Sequence, residues 1–278
     1  MRIAYLGPEG TNSQEALLAA TAGWPAFEQV PLATIPDCVV AVHDGEVDRA
    51  LVPIENALGG VVAATLDTLV HDAPDVAIVG ETIHAIRTCL VARDALELSA
   101  IETVLSHVQP VAQCAHFLRE RIPQAAVVTV SSTAEAVRQA IERGGATAAL
   151  GSRLAAELYG GEVLRADVDD VAGNETRFIW LAPSGTTAGE RGPWKTAVVF
   201  WGVGAEAPGW LVRCLSEFAF RGVNLTRIES RPRRQGLGKY MFFVDLEGRE
   251  TEGPVAEALA AVRGQVEQLR VLGSFPSA

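Results

Sequence analysis

The sequence predicts an α/β protein made of two successive units. Over residues 1–182, apolar runs of strand length alternate with longer helical stretches, which is the rhythm of an α/β domain. Residues 183–193, PSGTTAGERGP, are small, polar or structure-breaking and predict a linker. The order strand, helix, strand, strand, helix, strand over residues 194–278 is typical of a ferredoxin-like unit.

The individual elements follow from the periodicity of the apolar residues. In the first unit, strands are predicted over residues 2–7, 49–55, 76–81, 103–107, 126–131 and 146–152. In the second unit, strands are predicted over 195–202, 223–232, 239–248 and 269–275, and helices over 208–222 and 253–266. Pro208 suits the first turn of a helix, and Gly222 suits its end.

Composition indicates an ordinary globular chain. Its 278 residues suffice for roughly two domains, and 49% hydrophobic with 21% charged residues is typical of soluble proteins. The N-terminus has only a short apolar run before Gly7 and Pro8, unlike a signal peptide. No apolar run approaches the roughly 18 residues of a membrane span. We therefore expect a cytoplasmic protein with no membrane partner.

Charge is distributed unevenly along the chain. Residues 1–192 contain 12 Lys+Arg and 25 Asp+Glu, a net charge of −13, whereas residues 193–278 contain 11 and 9, a net charge of +2. An acidic first unit argues against a nucleic-acid partner, because binding phosphates requires a basic face. The basic cluster at residues 229–239 is interpreted as a solvated hairpin loop.

Metal and nucleotide cofactors are not expected. The four cysteines are spread out without a Cys-x-x-Cys pair, so they are predicted to be core thiols rather than metal ligands. The five histidines form no metal-binding motif. GVGAEA at 202–207 resembles a dinucleotide fingerprint, but it lacks the third glycine and the parallel βαβ context.

Four junctions in the first unit lead from an apolar strand through a polar turn into a helix. They lie at residues 7–16, 53–62, 106–115 and 131–137. Helix N-termini carry unpaired N–H groups that attract anions, and Thr11, Ser13, Asn56, Ser106 and Thr133 add neutral side chains. Each junction alone is an ordinary cap. Together, at the ends of strands, they predict one crevice for a small anion.

The hexapeptide GNETRF, residues 173–178, lies where a loop becomes a strand. Alternation along a strand predicts that Asn174, Thr176 and Phe178 face one side while Glu175, Arg177 and Ile179 face the other. One interpretation is a strand start with a surface Glu–Arg pair. The other makes Arg177 the partner of a ligand carboxylate, which a guanidinium binds with a planar fork.

Taken together, these motifs resemble the bacterial prephenate dehydratases. The stretches that carry the resemblance occur in the family's order, namely YLGPEGTNS (5–13), VPIEN (52–56), SHVQPVAQC (106–114), SSTAEAV (131–137) and NETRF (174–178). The second unit, with PGWLVRCL (208–215) and VNLTRIESRP (223–232), is similar to the ACT regulatory domain that these enzymes carry.

The resemblance implies a reaction and an architecture. The reaction is the loss of water and carbon dioxide from prephenate to give phenylpyruvate for phenylalanine synthesis, without a cofactor. The catalytic domain, residues 1–182, would be two-lobed like a periplasmic binding protein, with lobe 1 at about 1–80 plus 155–182 and lobe 2 at about 81–154. An ACT domain at 194–278 would bind L-phenylalanine as allosteric effector, within a homodimer or homotetramer. Alternatives are arogenate dehydratase and a non-catalytic regulator that binds amino acids or small anions.

The resemblance also implies roles for residues. Thr176 would be catalytic, and the substrate-binding set would be Thr11, Ser13, Asn56, Ser106, His107, Gln113, Thr133, Arg177 and Phe178. Phe178 could pack on the substrate ring, whereas Arg177 either binds a carboxylate or braces the loop. The effector-binding set would be Gly209, Trp210, Leu211, Asn224, Leu225, Glu229 and Ser230.

Three positions depart from the usual motifs of the family. Val108 stands in SHVQ where proline is usual, and Ala57 stands where the family has a serine. Trp210 replaces a small residue and would either narrow the effector pocket or fill it.

Overall fold

The computed structural model describes residues 1–189, 192–202 and 207–278. Part of the predicted linker and most of GVGAEA lie outside these ranges. The strands are β1 (Arg2–Leu6), β2 (Glu28–Leu32), β3 (Arg49–Asn56), β4 (Gly60–Val61), β5 (Val76–Ala85), β6 (Cys89–Ala92), β7 (Thr103–Ser106), β8 (Ala126–Thr129), β9 (Thr147–Gly151), β10 (Glu162–Arg165), β11 (Glu175–Pro183), β12 (Trp194–Trp201), β13 (Leu225–Pro232), β14 (Tyr240–Glu247) and β15 (Gln268–Pro276).

The α-helices alternate with these strands and confirm the predicted α/β class. They are α1 (Asn12–Ala20), α2 (Ile35–His43), α3 (Ala63–His71), α4 (Val108–Gln113), α5 (Ala115–Arg121), α6 (Thr133–Arg143), α7 (Arg153–Tyr159), α8 (Trp210–Ala219) and α9 (Gly253–Arg263). Within the described ranges, none of them combines the length and the apolar character that crossing a membrane requires.

The chain forms two compact units. The first consists of Met1–Cys38, Glu55–Gly60 and Ile83–Arg177, and the second of Val39–Ile54, Val61–Thr82 and Phe178–Ala278. The predicted assignment of residues 1–182 to one domain, with two lobes, and of 194–278 to another stays a prediction.

The first unit is organised around a five-stranded sheet with the order β10-β6-β9-β7-β8. Strand β7 runs parallel to β8 and β9, and β6 runs antiparallel to β9 and β10. Alternate residues of β9 enter different cores: Leu150 packs in a cluster with Leu118 of α5, and Ala149 packs in a cluster with Val137 of α6. Helices on both faces explain why the central strands β6, β9 and β7 are mostly apolar and buried. In the same unit, β1 pairs parallel with β2.

The second unit contains a four-stranded antiparallel sheet with the order β13-β14-β12-β15. Helices α8 and α9 cover one face, where Phe200, Trp210, Phe218, Val244 and Leu259 form the core. The element order β12-α8-β13-β14-α9-β15 confirms the predicted sequence of elements.

Helix α8 is shorter than the sequence predicts. It begins at Trp210 after Gly209, whose φ of 77° is left-handed, and it ends at Ala219. Pro208 therefore precedes the helix instead of occupying its first turn. The left-handed backbone at Gly209 stops the helix from starting earlier, because a helical residue needs negative φ.

Charged contacts join the other face of this sheet to residues 61–82 of the same unit. Arg231 of β13 donates to both carboxylate oxygens of Asp67 in α3, at 3.1 and 2.9 Å. Arg270 of β15 donates to the carbonyls of Leu69, Ala73 and Val76, the first of which belongs to the last turn of α3.

Lys195 and Gly273 complete this face. The ammonium of Lys195 lies 2.7 Å from the buried carboxylate of Glu81. Strand β15 comes so near to β5 that a Cβ at Gly273 would lie 2.0 Å from the carbonyl oxygen of Ile78. Only glycine permits this approach of the two backbones.

A deeply buried ion pair of the second unit joins neighbouring strands. Arg227 of β13 lies directly opposite Asp245 of β14 and donates to its two oxygens at 2.9 and 3.0 Å. Their side chains are only 7% and 2% exposed. We expect Asp245→Asn to lower the free energy of unfolding by about 3–5 kcal/mol, because the guanidinium is then buried without a counter-charge.

Urea denaturation followed by tryptophan fluorescence measures this loss. The double variant Arg227→Met/Asp245→Leu is the control, since an apolar pair of similar volume removes both charges and should recover most of the stability. A loss below about 1 kcal/mol in Asp245→Asn would contradict the importance of the pair.

Candidate active site

Asn56 stands at the centre of the candidate site in the first unit. It ends β3, and its side-chain oxygen accepts hydrogen bonds from the backbone N–H of Leu58 and Gly59, at 3.1 and 2.7 Å. The backbone N–H of Ala57, the residue directly after Asn56, donates to the carbonyl of Glu175 at 2.8 Å. Because backbone N–H groups only donate, the two bonds to Oδ1 fix which end of the amide is oxygen.

The nitrogen of the same amide is directed at the GNETRF segment. Asn56 Nδ2 donates to Asn174 Oδ1 at 2.8 Å, to Thr176 Oγ1 at 2.9 Å and to the Glu175 carbonyl at 3.2 Å. The three side chains are 8%, 3% and 7% exposed for Asn56, Asn174 and Thr176. An amide nitrogen cannot accept, so Thr176 accepts here and its own hydroxyl proton is left to donate in another direction.

The burial of β11 alternates as predicted from Glu175 to Phe178, but not beyond, because Ile179 is fully buried as well. Thr176 and Phe178 are buried, Glu175 is exposed and Arg177 is half-buried. The Arg177 Nε lies 3.4 Å from a carboxylate oxygen of Glu55. This ion pair agrees with the bracing interpretation of Arg177, while contact with a substrate carboxylate stays a prediction.

Helix α4 lies beside the turn that follows Asn56. A Cβ at Gly59 would be 3.1 Å from Nε2 of Gln109 and 3.2 Å from Oδ1 of Asn56. His107 caps this helix, and its Nδ1 accepts from the Gln109 N–H at 3.4 Å, which leaves the proton of the neutral ring on Nε2. Ser106 is fully buried at the end of β7, and its hydroxyl has no hydrogen-bond partner among the described residues.

The acidic run before GNETRF fastens its loop to the sheet and helices of the first unit. Asp169 accepts from the N–H and the hydroxyl of Thr88, both at 2.7 Å. Asp170 accepts from the first N–H groups of α5, those of His116 and Phe117, at 2.8 and 3.0 Å. The N–H of Asp170 donates to the carbonyl of Gln113 at 2.8 Å. The sequence predicted no role for these carboxylates, because the helix start that Asp170 caps lies 54 residues away in the chain.

The N-terminal loop holds two further predicted residues. Thr11 caps α1, accepting from the Gln14 N–H at 3.4 Å and donating to the Leu6 carbonyl at 3.0 Å. Ser13 is buried in the first turn of the helix. The loop is tied to α7, because Ser152 Oγ donates to the Gly10 carbonyl at 2.7 Å.

Gly10 itself cannot carry a side chain. Its φ is 85°, and a Cβ there would lie 3.1 Å from Cα and Cβ of Ala155. Thr133 lies in a separate place, as the first residue of α6 after its cap Ser132. The structure thus brings Asn56 and Thr176 together directly and sets α4 beside them. In the described residues, no hydrogen bond joins Thr11, Ser13 or Thr133 to that pair.

The remaining predicted residues belong to the second unit. Phe178 is 2% exposed in the core. Trp210 is 4% exposed, its indole N–H donates to the Gln265 carbonyl at 2.9 Å, and its ring lies about 6 Å from Phe200 and Phe242. The indole therefore fills core space. Around it, Gly209 precedes α8, Leu211 and Leu225 are half-buried, and Asn224 and Ser230 are exposed beside half-buried Glu229.

Thiol chemistry does not suit the described residues. All four cysteines are free and buried, as predicted. Burial raises the pKa of Cys38 and Cys114 to about 12, and it also raises the pKa of Cys89 and Cys214. No cluster of three His, Cys, Asp or Glu side chains in the described ranges is arranged to hold a metal ion. The chemistry available around Asn56 is hydrogen bonding by neutral donors.

Comparison with known proteins identifies the family of this chain. The sequence model of the prephenate dehydratase family matches residues 3–186. Prephenate dehydratase of Amycolatopsis methanolica is 39% identical over 278 residues, covering 100% of this chain and 89% of that protein. The crystal structure of the Arthrobacter aurescens prephenate dehydratase in complex with L-Phe is 36% identical with a TM-score of 0.90, covering 99% of this chain and 90% of that one.

A solved structure described as a different enzyme is also similar. GqqA, described as a novel type of quorum-quenching acylase, is 30% identical with a TM-score of 0.85, covering 100% of this chain and 98% of that one. The family match spans the segments that hold Asn56, Ser106 and Thr176, and the relatives align along the full length. On these grounds the chain belongs to the prephenate dehydratase family.

Proposed function

We propose that this protein converts prephenate to phenylpyruvate, water and carbon dioxide, and that L-phenylalanine regulates it. Family membership supports the reaction. The observation that carries the chemistry is the hydrogen bond from Asn56 Nδ2 to Thr176 Oγ1, because Thr176 accepts in this bond and keeps its hydroxyl proton to donate to a ligand. Thr11, Ser13, Ser106, His107, Gln113, Thr133, Arg177 and Phe178 complete the proposed substrate-binding set.

The reaction needs little besides a well-placed donor. The bond from the ring to its carboxylate breaks, and the electron pair moves into the ring as the bond to the hydroxyl breaks at the opposite carbon. Prephenate dianion and one proton become phenylpyruvate anion, carbon dioxide and water. Aromaticity makes these steps downhill, so the enzyme has to stabilise the leaving oxygen. Thr176 donates a hydrogen bond to that oxygen as negative charge develops on it.

Thr176 variants test the role of the hydroxyl. We expect Thr176→Ala to lower kcat about 10²- to 10³-fold, as expected for loss of a donor to a developing oxyanion. Thr176→Ser is the matched control, since it keeps the hydroxyl and should retain most of the rate. Ultraviolet detection of phenylpyruvate from prephenate measures both. An alanine variant that reacts at the parent rate would remove Thr176 from the mechanism.

Asn56 variants test what sets the direction of the threonine proton. In Asn56→Asp, both oxygens accept, so the Leu58–Gly59 turn remains while the Thr176 hydroxyl turns to donate to the new carboxylate. We expect kcat to fall about 100-fold or more and the thermal unfolding midpoint to fall as well, because the new oxygen faces Asn174 Oδ1 and the Glu175 carbonyl, which also accept. Asn56→Ala is the comparison, since it also loses the turn and should unfold at a lower temperature. A fully active Asn56→Asp protein would contradict the proposed hydrogen-bond direction.

For regulation, we propose that residues 194–278 form an ACT domain that binds L-phenylalanine near Gly209, Trp210, Leu211, Asn224, Leu225, Glu229 and Ser230. The L-Phe complex of the Arthrobacter relative and the βαββαβ order support this proposal. The edge strands β13 and β15 give a physical motive for a homodimer or homotetramer, because exposed edges favour pairing. Trp210 fills core space, so the effector would contact the backbone around it rather than its ring.

The contact of Arg231 with Asp67 offers a route for this regulation. Arg231 follows the proposed effector residues Glu229 and Ser230 in β13, and Asp67 lies in α3, which follows the Asn56 turn in the chain. We expect Asp67→Asn to leave L-Phe affinity within about threefold while weakening inhibition about 5-fold or more, in the range of typical coupling energies.

Calorimetry measures the affinity for L-Phe, and the inhibition of prephenate turnover by L-Phe measures the strength of regulation. Asp72→Asn, an exposed change at the end of the same helix, is the control for the lost charge. Equal inhibition of the parent and Asp67→Asn would disprove this route.

Two other activities are tested with the same protein. Arogenate dehydratase activity is the nearest alternative, and rates on arogenate equal to or above those on prephenate would favour it. The similarity to GqqA makes acylase activity a second candidate. Hydrolysis of an N-acyl homoserine lactone without phenylpyruvate formation from prephenate would favour that function, and absence of any turnover would favour a binding regulator.

A further inference from the structure

Asn174 is held in one orientation by a chain of hydrogen bonds. Its backbone carbonyl accepts from the N–H of Ile86 at 2.8 Å. Its side-chain oxygen accepts from Asn56 Nδ2 at 2.8 Å, and Asn56 is itself oriented by two backbone donors. The oxygen of Asn174 therefore faces Asn56, and its nitrogen faces away from it.

That nitrogen is an unused donor in a buried place. Asn174 is 3% exposed, and its Nδ2 has no hydrogen-bond partner among the described residues. Buried amide nitrogens are nearly always hydrogen-bonded in proteins. A buried amide nitrogen without an acceptor among the described residues therefore indicates a partner from outside the chain.

Asn174 and Thr176 share one arrangement. Both offer an acceptor oxygen to the same nitrogen of Asn56, and both thereby keep their protons for another partner. Alternation along an extended segment also places residues 174 and 176 on one side. A pair of neutral donors that reach the same ligand oxygen is a usual way to stabilise a developing oxyanion.

We propose that Asn174 is a further substrate-binding residue, whose amide N–H donates, together with the Thr176 hydroxyl, to the oxygen that leaves prephenate. This inference rests on the proposed function. The amide gives up no proton, so the balance of the reaction is unchanged. Neutral donors are appropriate in this acidic unit. A cationic donor would attract the unit's own Asp and Glu carboxylates, whereas an amide and a hydroxyl stabilise the leaving oxygen without doing so.

Asn174→Asp separates the two ends of the side chain. The variant keeps an oxygen to accept from Asn56, but replaces the donor nitrogen with a second oxygen. At about pH 8 the new carboxylate repels the leaving oxygen, and we expect kcat to fall about 100-fold or more. As the pH falls towards about 5, protonation of the new carboxyl restores a donor, because burial favours the neutral acid. The deficit relative to the parent should shrink at least about tenfold over that range.

Three companion proteins complete the experiment. Asn174→Ala loses donor and acceptor, so its deficit should not depend on pH. Asn174→Ser restores a short hydroxyl donor and should exceed the alanine variant in kcat. Gln235→Glu places the same added charge on an exposed loop and should follow the parent pH profile.

The outcomes are distinct. A parent protein that forms no phenylpyruvate overturns the proposed function, and this inference with it. If the parent is active, an Asn174→Asp rate within about threefold of it at pH 8 overturns only the role of Asn174. A deficit that is the same at all pH values and equal in the aspartate, alanine and serine variants also overturns it, since that result indicates a purely structural side chain.

Discussion

The candidate site depends on the hydrogen bonds that fully occupy one side-chain amide, that of Asn56. The oxygen of Asn56 accepts hydrogen bonds from two backbone N–H groups. Its nitrogen donates to the side chains of Asn174 and Thr176 and to the carbonyl of Glu175. No rotation or flip of this amide preserves all of these bonds, because an exchange of oxygen and nitrogen would set donor against donor. A neutral, buried group thereby imposes a direction on the hydroxyl of Thr176. Directional hydrogen bonds that are set before the substrate arrives need no reorganisation during the reaction.

Several charged residues next to this amide or in the loop before β11 make structural contacts. Arg177 lies against Glu55, on the side of the strands opposite to Asn56 and Thr176. Asp169 and Asp170 fasten the loop that leads into β11. These three carboxylates therefore have partners within the unit, namely a guanidinium for Glu55, and backbone N–H groups and a hydroxyl for the two aspartates. The proposed site around Asn56 then consists of neutral groups.

The second unit uses charge differently. Arg231, Arg270 and Lys195 connect the βαββαβ sheet to residues 61–82 through polar contacts, and Gly273 permits a close backbone approach. Such contacts are directional, and in the proposed regulation they carry a shift of a strand to helix α3. Apolar packing under α8 and α9 is less directional and instead provides most of the stability of this unit. Trp210 belongs to that apolar side, which explains how the chain accommodates a large residue there.

The sequence by itself determined the α/β class, the βαββαβ order, the buried thiols and the alternation of Thr176 and Arg177, because these follow from apolar periodicity and from local turn and cap residues. It misplaced the start of α8, where the left-handed backbone of Gly209 overrides the preference of Pro208. Only the tertiary structure decided that Asn56 reaches Asn174 and Thr176, which are 118 and 120 residues away. The tertiary structure was also needed to show that Asp169 and Asp170 accept hydrogen bonds from Thr88 and from the start of α5. Periodicity reports which face of an element is buried, whereas a hydrogen bond between distant segments depends on where the folded chain brings two polar atoms within 3 Å of each other.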